Sequence, residues 1–282
     1  MQTGRSWSLR RIVDIRSGEV TPVLAMAALY FFVIGAASLV KPVRQSAFLD
    51  AAGANAYPFV MLGTAVVVAL LMGGYARLAE QVRVSRLLLG TYVFLALNLV
   101  GFWWLFRSPI AQATCVRTTD SACPLLSAPV LISAAFFIWA AIYSVLTVSQ
   151  FWLLANLGYD ARQAKRLFGF IGAGGIVGGI VGSWAAGVLA KVPGIGRVNI
   201  VLLSAAALLL AAALAAWILA RTPAALPAEE RKKKGATAAR AGAAALVRES
   251  PHLRAVAAIL LVIIVVSAIA DQQLNSAVEA YV

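Results

Sequence analysis

Long apolar runs separated by short polar stretches organise the whole chain. Seven runs of roughly 20 residues stand out, at about 20 to 40, 57 to 76, 87 to 106, 129 to 154, 167 to 190, 198 to 219 and 253 to 278. Each is long enough to cross a bilayer as a helix, in which every backbone N–H and C=O is satisfied within the segment. The pattern predicts an all-α polytopic membrane helix bundle. The fourth run is long enough to tilt or to project a turn into water. The seventh is interrupted by Asp271, Gln272, Gln273 and Asn275.

Four regions follow from this pattern: an N-terminal segment at 1–19, a six-span bundle at 20–219, a basic linker at 220–252 and a seventh span at 253–282. The linker stands apart in composition, with Pro223, Pro227 and Pro251, a charge run at 229–234 and an Ala/Gly-rich tract. Six spans, a long linker and the start of another group are the layout of a two-halved transporter. On this reading the chain carries the first half and a little of the second. A separate C-terminal half or a second copy would complete it.

Composition narrows the class. Hydrophobic residues make up 62% of the 282 positions and charged ones only 12%, where soluble domains run nearer 45–50% and about 25%; the mean hydropathy is +0.87. Disorder, collagen-like structure and a small disulfide scaffold are excluded. The net charge of +13 would suggest nucleic acid on a soluble domain, but the basic residues fall between apolar runs and no base-contacting fold is visible. Eighteen of the 24 Lys and Arg residues lie on the side of the bundle that holds the N-terminus, and six on the other. That bias predicts a cytoplasmic N-terminus, with the bilayer as the first partner. The first 20 residues carry Asp14 and Glu19 among arginines and show no cleavage site, so they read as a cytoplasmic lead-in.

Several groups are candidates for chemistry. Lys41 and Arg44 flank Pro42 at the expected end of span one. They read either as anchors that snorkel to the headgroups or as a site for an anionic solute at a broken helix end. Arg77, Glu80 and Arg83 lie in the turn between spans two and three, where a carboxylate among arginines could latch one conformation or simply balance a basic loop. Gly174, Gly175, Gly178, Gly179 and Gly182 lack the lysine and the spacing of a phosphate loop. Their four-residue repeats read as small-xxx-small positions for close helix packing. Cys115 and Cys123 share the third inter-span loop, on the outer side, where they could close a disulfide or remain two thiols. His252, the single histidine, lies across the membrane from them, which argues against a metal site. Asp271 either faces a cavity near Lys41 or Arg44 or meets water at the outer interface, since a carboxylate in a span costs about 2.5–3.5 kcal/mol at the helix centre.

Three separated motifs carry a family resemblance. Phe151-Trp152 with Ala155-Asn156, then Ala164-Lys165-Arg166-Leu167-Phe168 and the glycine-rich helix, form the first; Lys41-Pro42-Val43-Arg44 is the second, and Asp271-Gln272-Gln273-Leu274 the third. Together they resemble the ATP/ADP translocases of plastids and intracellular bacteria, a branch of the major facilitator superfamily. The stretch from Gly73 to Arg86 is loosely similar to that superfamily's loop signature, with Glu80 in place of Asp, Gln81 in place of Arg and Arg83 in place of Gly. The resemblance runs from about residue 20 to the end. It implies nucleotide exchange by alternating access, with Lys41 in substrate binding. Two positions depart from the family: Ala140 stands where a glutamate is usual, and Asn275 where a lysine often is.

The expected function is a secondary transporter of nucleotides or a related anionic solute, without cofactor or metal. The residues expected at the substrate are Lys41, Arg44, Asn156, Asp271 and Gln272, with Lys165 and Arg166 at the cytoplasmic mouth. The alternatives are a facilitator of another solute and a membrane module that anchors or regulates a partner through 229–234. An enzyme is not expected, because the spans hold no histidine and no paired acids.

Overall fold

The computed structural model describes residues 19–111, 127–192, 196–221 and 250–281, with some side chains inside these ranges, those of 76–81 among them, left out of the description. Cys115, Cys123 and the linker from 222 to 249 lie outside the described residues. Seven long helices account for nearly all of the rest: α1 (Val20–Ala52), α2 (Tyr57–Gln81), α3 (Val84–Arg107), α4 (Ala128–Gly158), α5 (Ala161–Leu189), α6 (Gly196–Arg221) and α7 (Pro251–Tyr281). Among the described residues there is no strand. The first six contain segments long and apolar enough to cross a bilayer. Their large side chains face outward freely, with Phe59 78%, Trp104 70% and Trp184 68% exposed. Patches of that kind call for lipid rather than water, and the chain is a multi-pass membrane protein.

The termini of the elements follow local chemistry. Gly53 ends α1 at φ 75°, where a side chain would be strained, and its N–H bonds the Leu49 carbonyl at 2.9 Å. A 3-10 turn, Ala54–Ala56, then leads into α2. Pro129 sits in the first turn of α4, where its missing N–H costs nothing. Asp160 precedes α5, and its N–H donates to Gln163 Oε1 at 3.1 Å, one arm of a capping box.

Span one differs from its expected bounds. The helix continues through Pro42 and ends at Ala52, so Lys41 and Arg44 sit inside α1 rather than at its end. Proline removes one i→i−4 bond and crowds the carbonyl four residues back, at a cost of about 3 kcal/mol. Burial of Val43, Phe48 and Ala52 offsets that cost. Phe48 and Ala52 form a small core with Tyr57, Val130 and Phe137, which holds the last turns of α1 in place.

Helix α1 is the hub: α4, α5 and α6 all pack on it, α3 packs on α6, and α2 packs on α4. Helix α7 touches the 3-10 turn at the end where α1 finishes. In lipid, no hydrophobic drive brings helices together, so close packing and interhelical hydrogen bonds must do it. Among the described bonds between helices, Ser204 Oγ donates to the Ala36 carbonyl at 2.8 Å, Tyr143 Oη meets Ser204 Oγ at 3.3 Å, Tyr92 Oη donates to the Thr147 carbonyl at 3.3 Å and Trp103 Nε1 donates to Asn199 Oδ1 at 2.8 Å. At about 0.6 kcal/mol each, they contribute less than the packing.

The closest packing is between α1 and α5. A Cβ on Gly174 would lie 2.5 Å from the Ala27 carbonyl oxygen, one on Gly182 would lie 2.5 Å from that of Gly35, and one on Gly178 would overlap that of Phe31. A Cβ on Gly175 would strike the Tyr30 ring, whereas one on Gly179 would meet side chains alone, Ile34 at 3.3 Å and Ser38 Oγ at 3.7 Å. The Tyr30 ring fills the space left at Gly175, stacks on Phe151 at 4.1 Å between centroids and meets the Trp152 edge at 5.5 Å. The Phe151-Trp152 pair is thus part of the wall on which α1 rests.

Gly178→Ala should force α1 and α5 apart and destabilise the protein by about 1–3 kcal/mol, the usual cost of overpacking. Gly172→Ala, which points into open space, should not destabilise the protein and should raise stability by up to about 1 kcal/mol, because glycine weakens a helix interior relative to alanine. Thermal unfolding in detergent compares the two.

Candidate functional site

Two cavities lie along α1, one in its second half and one at its start. The first opens between α1 and α4, has a volume of about 450 Å³, and is bordered by Ser38, Lys41 and Arg44 on one side and Ala140, Ala141 and Ser144 on the other. Lys41 and Arg44 are three residues apart and so share one helix face. Facing them, α4 presents Ala140, Ala141 and Ser144 with Val145 and Val148 and no charged side chain, and the Ser144 hydroxyl donates back to the Ala140 carbonyl at 2.9 Å. Ala140 is 1% exposed and offers a methyl group. Pro42 cannot donate to the Ser38 carbonyl, and Ser38 borders the cavity.

The two cations differ in environment. Lys41 is exposed, while Arg44 is half-buried with its guanidinium carbon 4.6 Å from the centroid of the Phe137 ring. Such a contact is worth about 0.5–2 kcal/mol. The Arg44 Nε is buried with no hydrogen-bond partner among the described residues. Tyr57, which accepts a bond from Gln45 Nε2 at 3.2 Å, and Asp271 of α7 both lie within electrostatic range of Arg44. Asp271 and Gln272 are half-buried. Lys41, Arg44, Asp271 and Gln272 are therefore brought to one region at the end where α1 finishes.

Asn156 is not among them. It lies 19 residues beyond Phe137 along α4, about 28 Å away, is exposed, and bonds the Trp152 carbonyl of its own helix at 2.8 Å. Arg77 and Glu80 belong to α2, but their side chains are outside the description; Arg83 is exposed just before α3, and Lys165 is exposed on α5. Gly174, Gly175, Gly178, Gly179 and Gly182 lie along the face that α5 turns to α1. No group of three His, Cys, Asp or Glu suited to a metal occurs among the described residues.

Arg166 lies at the end where α1 begins, paired with Glu19 at 2.9 Å, with Gln163 Nε2 also donating to Glu19 at 3.4 Å. Sequence reading missed the Glu19 contact. Its legible signal was the Asp160-x-x-Gln163 capping pattern, which fixes the first turn of α5 and hence the direction of Arg166. Gln150 was also missed: it is 1% exposed in the middle of α4 and donates to Tyr75 Oη, which also bonds Thr91. A lone amide within an apolar run is the signal for it.

The second cavity, of about 490 Å³, lies beside this pair among α1, α6 and the turn from α4 to α5. The Tyr159 hydroxyl borders it and is buried without a hydrogen-bond partner among the described residues. Burial, and secondarily the Glu19 carboxylate, push the Tyr159 phenol up to about 12. Comparison of the chain with protein-family models, with curated proteins and with solved structures gives no match in any of the three.

Two outcomes follow at this end. Glu19→Gln should lower stability by about 1 kcal/mol, the upper range for a surface ion pair, since both side chains are only 20% exposed, as read by thermal unfolding. The folded state keeps the Tyr159 phenol protonated above the ordinary value of about 10. Its contribution to stability is therefore intact below about pH 10 and lost as the pH rises through about 12. The phenolate absorbance that Tyr159→Phe removes should appear near pH 12 rather than near 10.

Proposed function

We propose that this protein is a secondary transporter of an anionic solute, of which nucleotides are the first candidate. The observation that carries the reading is the cavity between α1 and α4, in which Lys41 and Arg44 face a wall without acidic groups. Cations held within a span are costly, by about 2.5–3.5 kcal/mol each at the helix centre, and persist where they meet a cavity, a partner or a ligand. Phe137 and Asp271 offset part of that cost for Arg44; Lys41 forms no ion pair among the described residues. A phosphate group would supply the missing charge to Lys41 through charge-assisted hydrogen bonds.

Further support comes from the three motifs similar to ATP/ADP translocases. Ala140 removes a carboxylate from the cavity and leaves it more favourable to anions than the family pattern. The excess of Lys and Arg on the side where α1 begins supports a cytoplasmic N-terminus. Alternating access needs a second half-bundle or a second copy moving against this one.

Counterflow tests the proposal. Proteoliposomes holding the protein, loaded with ADP and exposed to labelled ATP, should accumulate label, and Lys41→Ala should reduce the initial rate by at least about tenfold, the value of one charge-assisted bond. Equal uptake by both proteins would remove Lys41 from the site. Absence of both uptake and binding of ATP and ADP by the folded protein would remove the ATP/ADP pair, and failure of phosphate esters and carboxylates to bind would remove the anionic reading altogether.

A further inference from the structure

The second cavity has the composition of a receptor for a charged lipid head. Its apolar wall is formed by Pro22 and Met26 of α1 and Ile218 of α6. Its polar rim has two donors with capacity to spare. The Tyr159 hydroxyl is buried and unpartnered. The Arg221 guanidinium lies 4.2 Å from the centroid of the Trp217 ring and pairs with no carboxylate among the described residues. Glu19 also borders the cavity, but its charge is taken up by Arg166 at 2.9 Å, and Gln163 donates to it as well. The net charge facing the cavity is therefore that of Arg221.

Position favours a lipid over a soluble ion. Each contributing group stands at a helix terminus: the first turn of α1, the turn after α4 and the last turn of α6. These are the levels at which a membrane helix meets the headgroups, and Trp with Arg is a usual interfacial pair. The same end carries exposed Arg162 and Lys165, which adds a field that draws anionic headgroups over zwitterionic ones. A free phosphate would use the two donors and leave the apolar wall bare, whereas a phospholipid uses both. The volume of about 490 Å³ lies within the usual range for small-molecule pockets.

We infer that this cavity binds the phosphate of an anionic phospholipid, with Arg221 and Tyr159 as donors and the acyl chains leaving along Met26 and Ile218. The site lies at the start of α1, apart from the Lys41 cavity in its second half, and is independent of what is transported.

Native mass spectrometry of the delipidated full chain in detergent tests it, with phosphatidylglycerol, phosphatidylcholine and inorganic phosphate as probes. One phosphatidylglycerol should bind saturably, at least about tenfold more tightly than phosphatidylcholine. Arg221→Gln should weaken it about tenfold, Tyr159→Phe should weaken it several-fold, and Arg221→Lys should restore most of the loss. Circular dichroism and elution volume establish that each variant is folded. Inorganic phosphate should not compete. Equal retention of both lipids, unchanged in Arg221→Gln, would reduce the site to general annular lipid and overturn the inference. Arg221-dependent binding of inorganic phosphate in place of lipid would also overturn it, assigning the cavity to a soluble anion.

Discussion

The contact on which the bundle depends is the seam between α1 and α5, where the two backbones meet with no side chain between them. One offset of 147 residues relates Glu19 to Arg166, Ala27 to Gly174, Phe31 to Gly178 and Gly35 to Gly182. The two helices therefore run parallel in a single register from the ion pair at one end to the middle of α1. In lipid this is the interaction available to apolar helices, since the tails compete on equal terms for every large side chain. Glycine at every fourth position leaves the facing carbonyls no obstacle, and dispersion contacts along the whole line accumulate.

With α1 fixed against α5, its other faces are fixed as well. One supports α6 through the Ser204 bond to the Ala36 carbonyl, and another meets α4, where Tyr30 stacks on Phe151. The cavity exists because α4 turns Ala140, Ala141 and Ser144 toward α1, too small to close the gap opposite Lys41 and Arg44. Small residues thus serve opposite ends in the two interfaces. On α5 they let backbone touch backbone, and on α4 they leave space because the facing side chains are charged and do not fill it.

Much of this was legible in the chain. The apolar runs located the helices because lipid forces any spanning backbone into helix, leaving length and polarity as the informative variables. The four-residue glycine spacing pointed to a packing face, but which helix it met was not legible, since periodicity carries no partner. The end of α1 was misplaced because Pro42 was weighed as a local breaker, whereas the outcome was decided by Phe48, Tyr57 and Phe137, which meet only in the folded bundle. Grouping Asn156 with Lys41 joined residues at different levels of the bundle, Lys41 opposite the middle of α4 and Asn156 in its last turn, because a motif order along the chain does not record depth in the membrane. The Glu19 to Arg166 pair spans 147 positions, and the capping pattern that orients Arg166 does not name its partner.

Helix α1 carries the seam, the ion pair and the cavity cations on one uninterrupted element of 33 residues, about 50 Å long. A rod of this kind conserves rotational phase: the azimuth of Lys41 is set by the azimuth of Glu19, turn by turn, and so by the register with α5. Each residue of a helix advances the azimuth by about 100°. Adding or removing a single residue between Gly35 and Lys41 would leave the glycine line seated and turn both cations about a quarter of the circumference away from α4. The chemistry at one end of the molecule is thus indexed by the count of residues from the other.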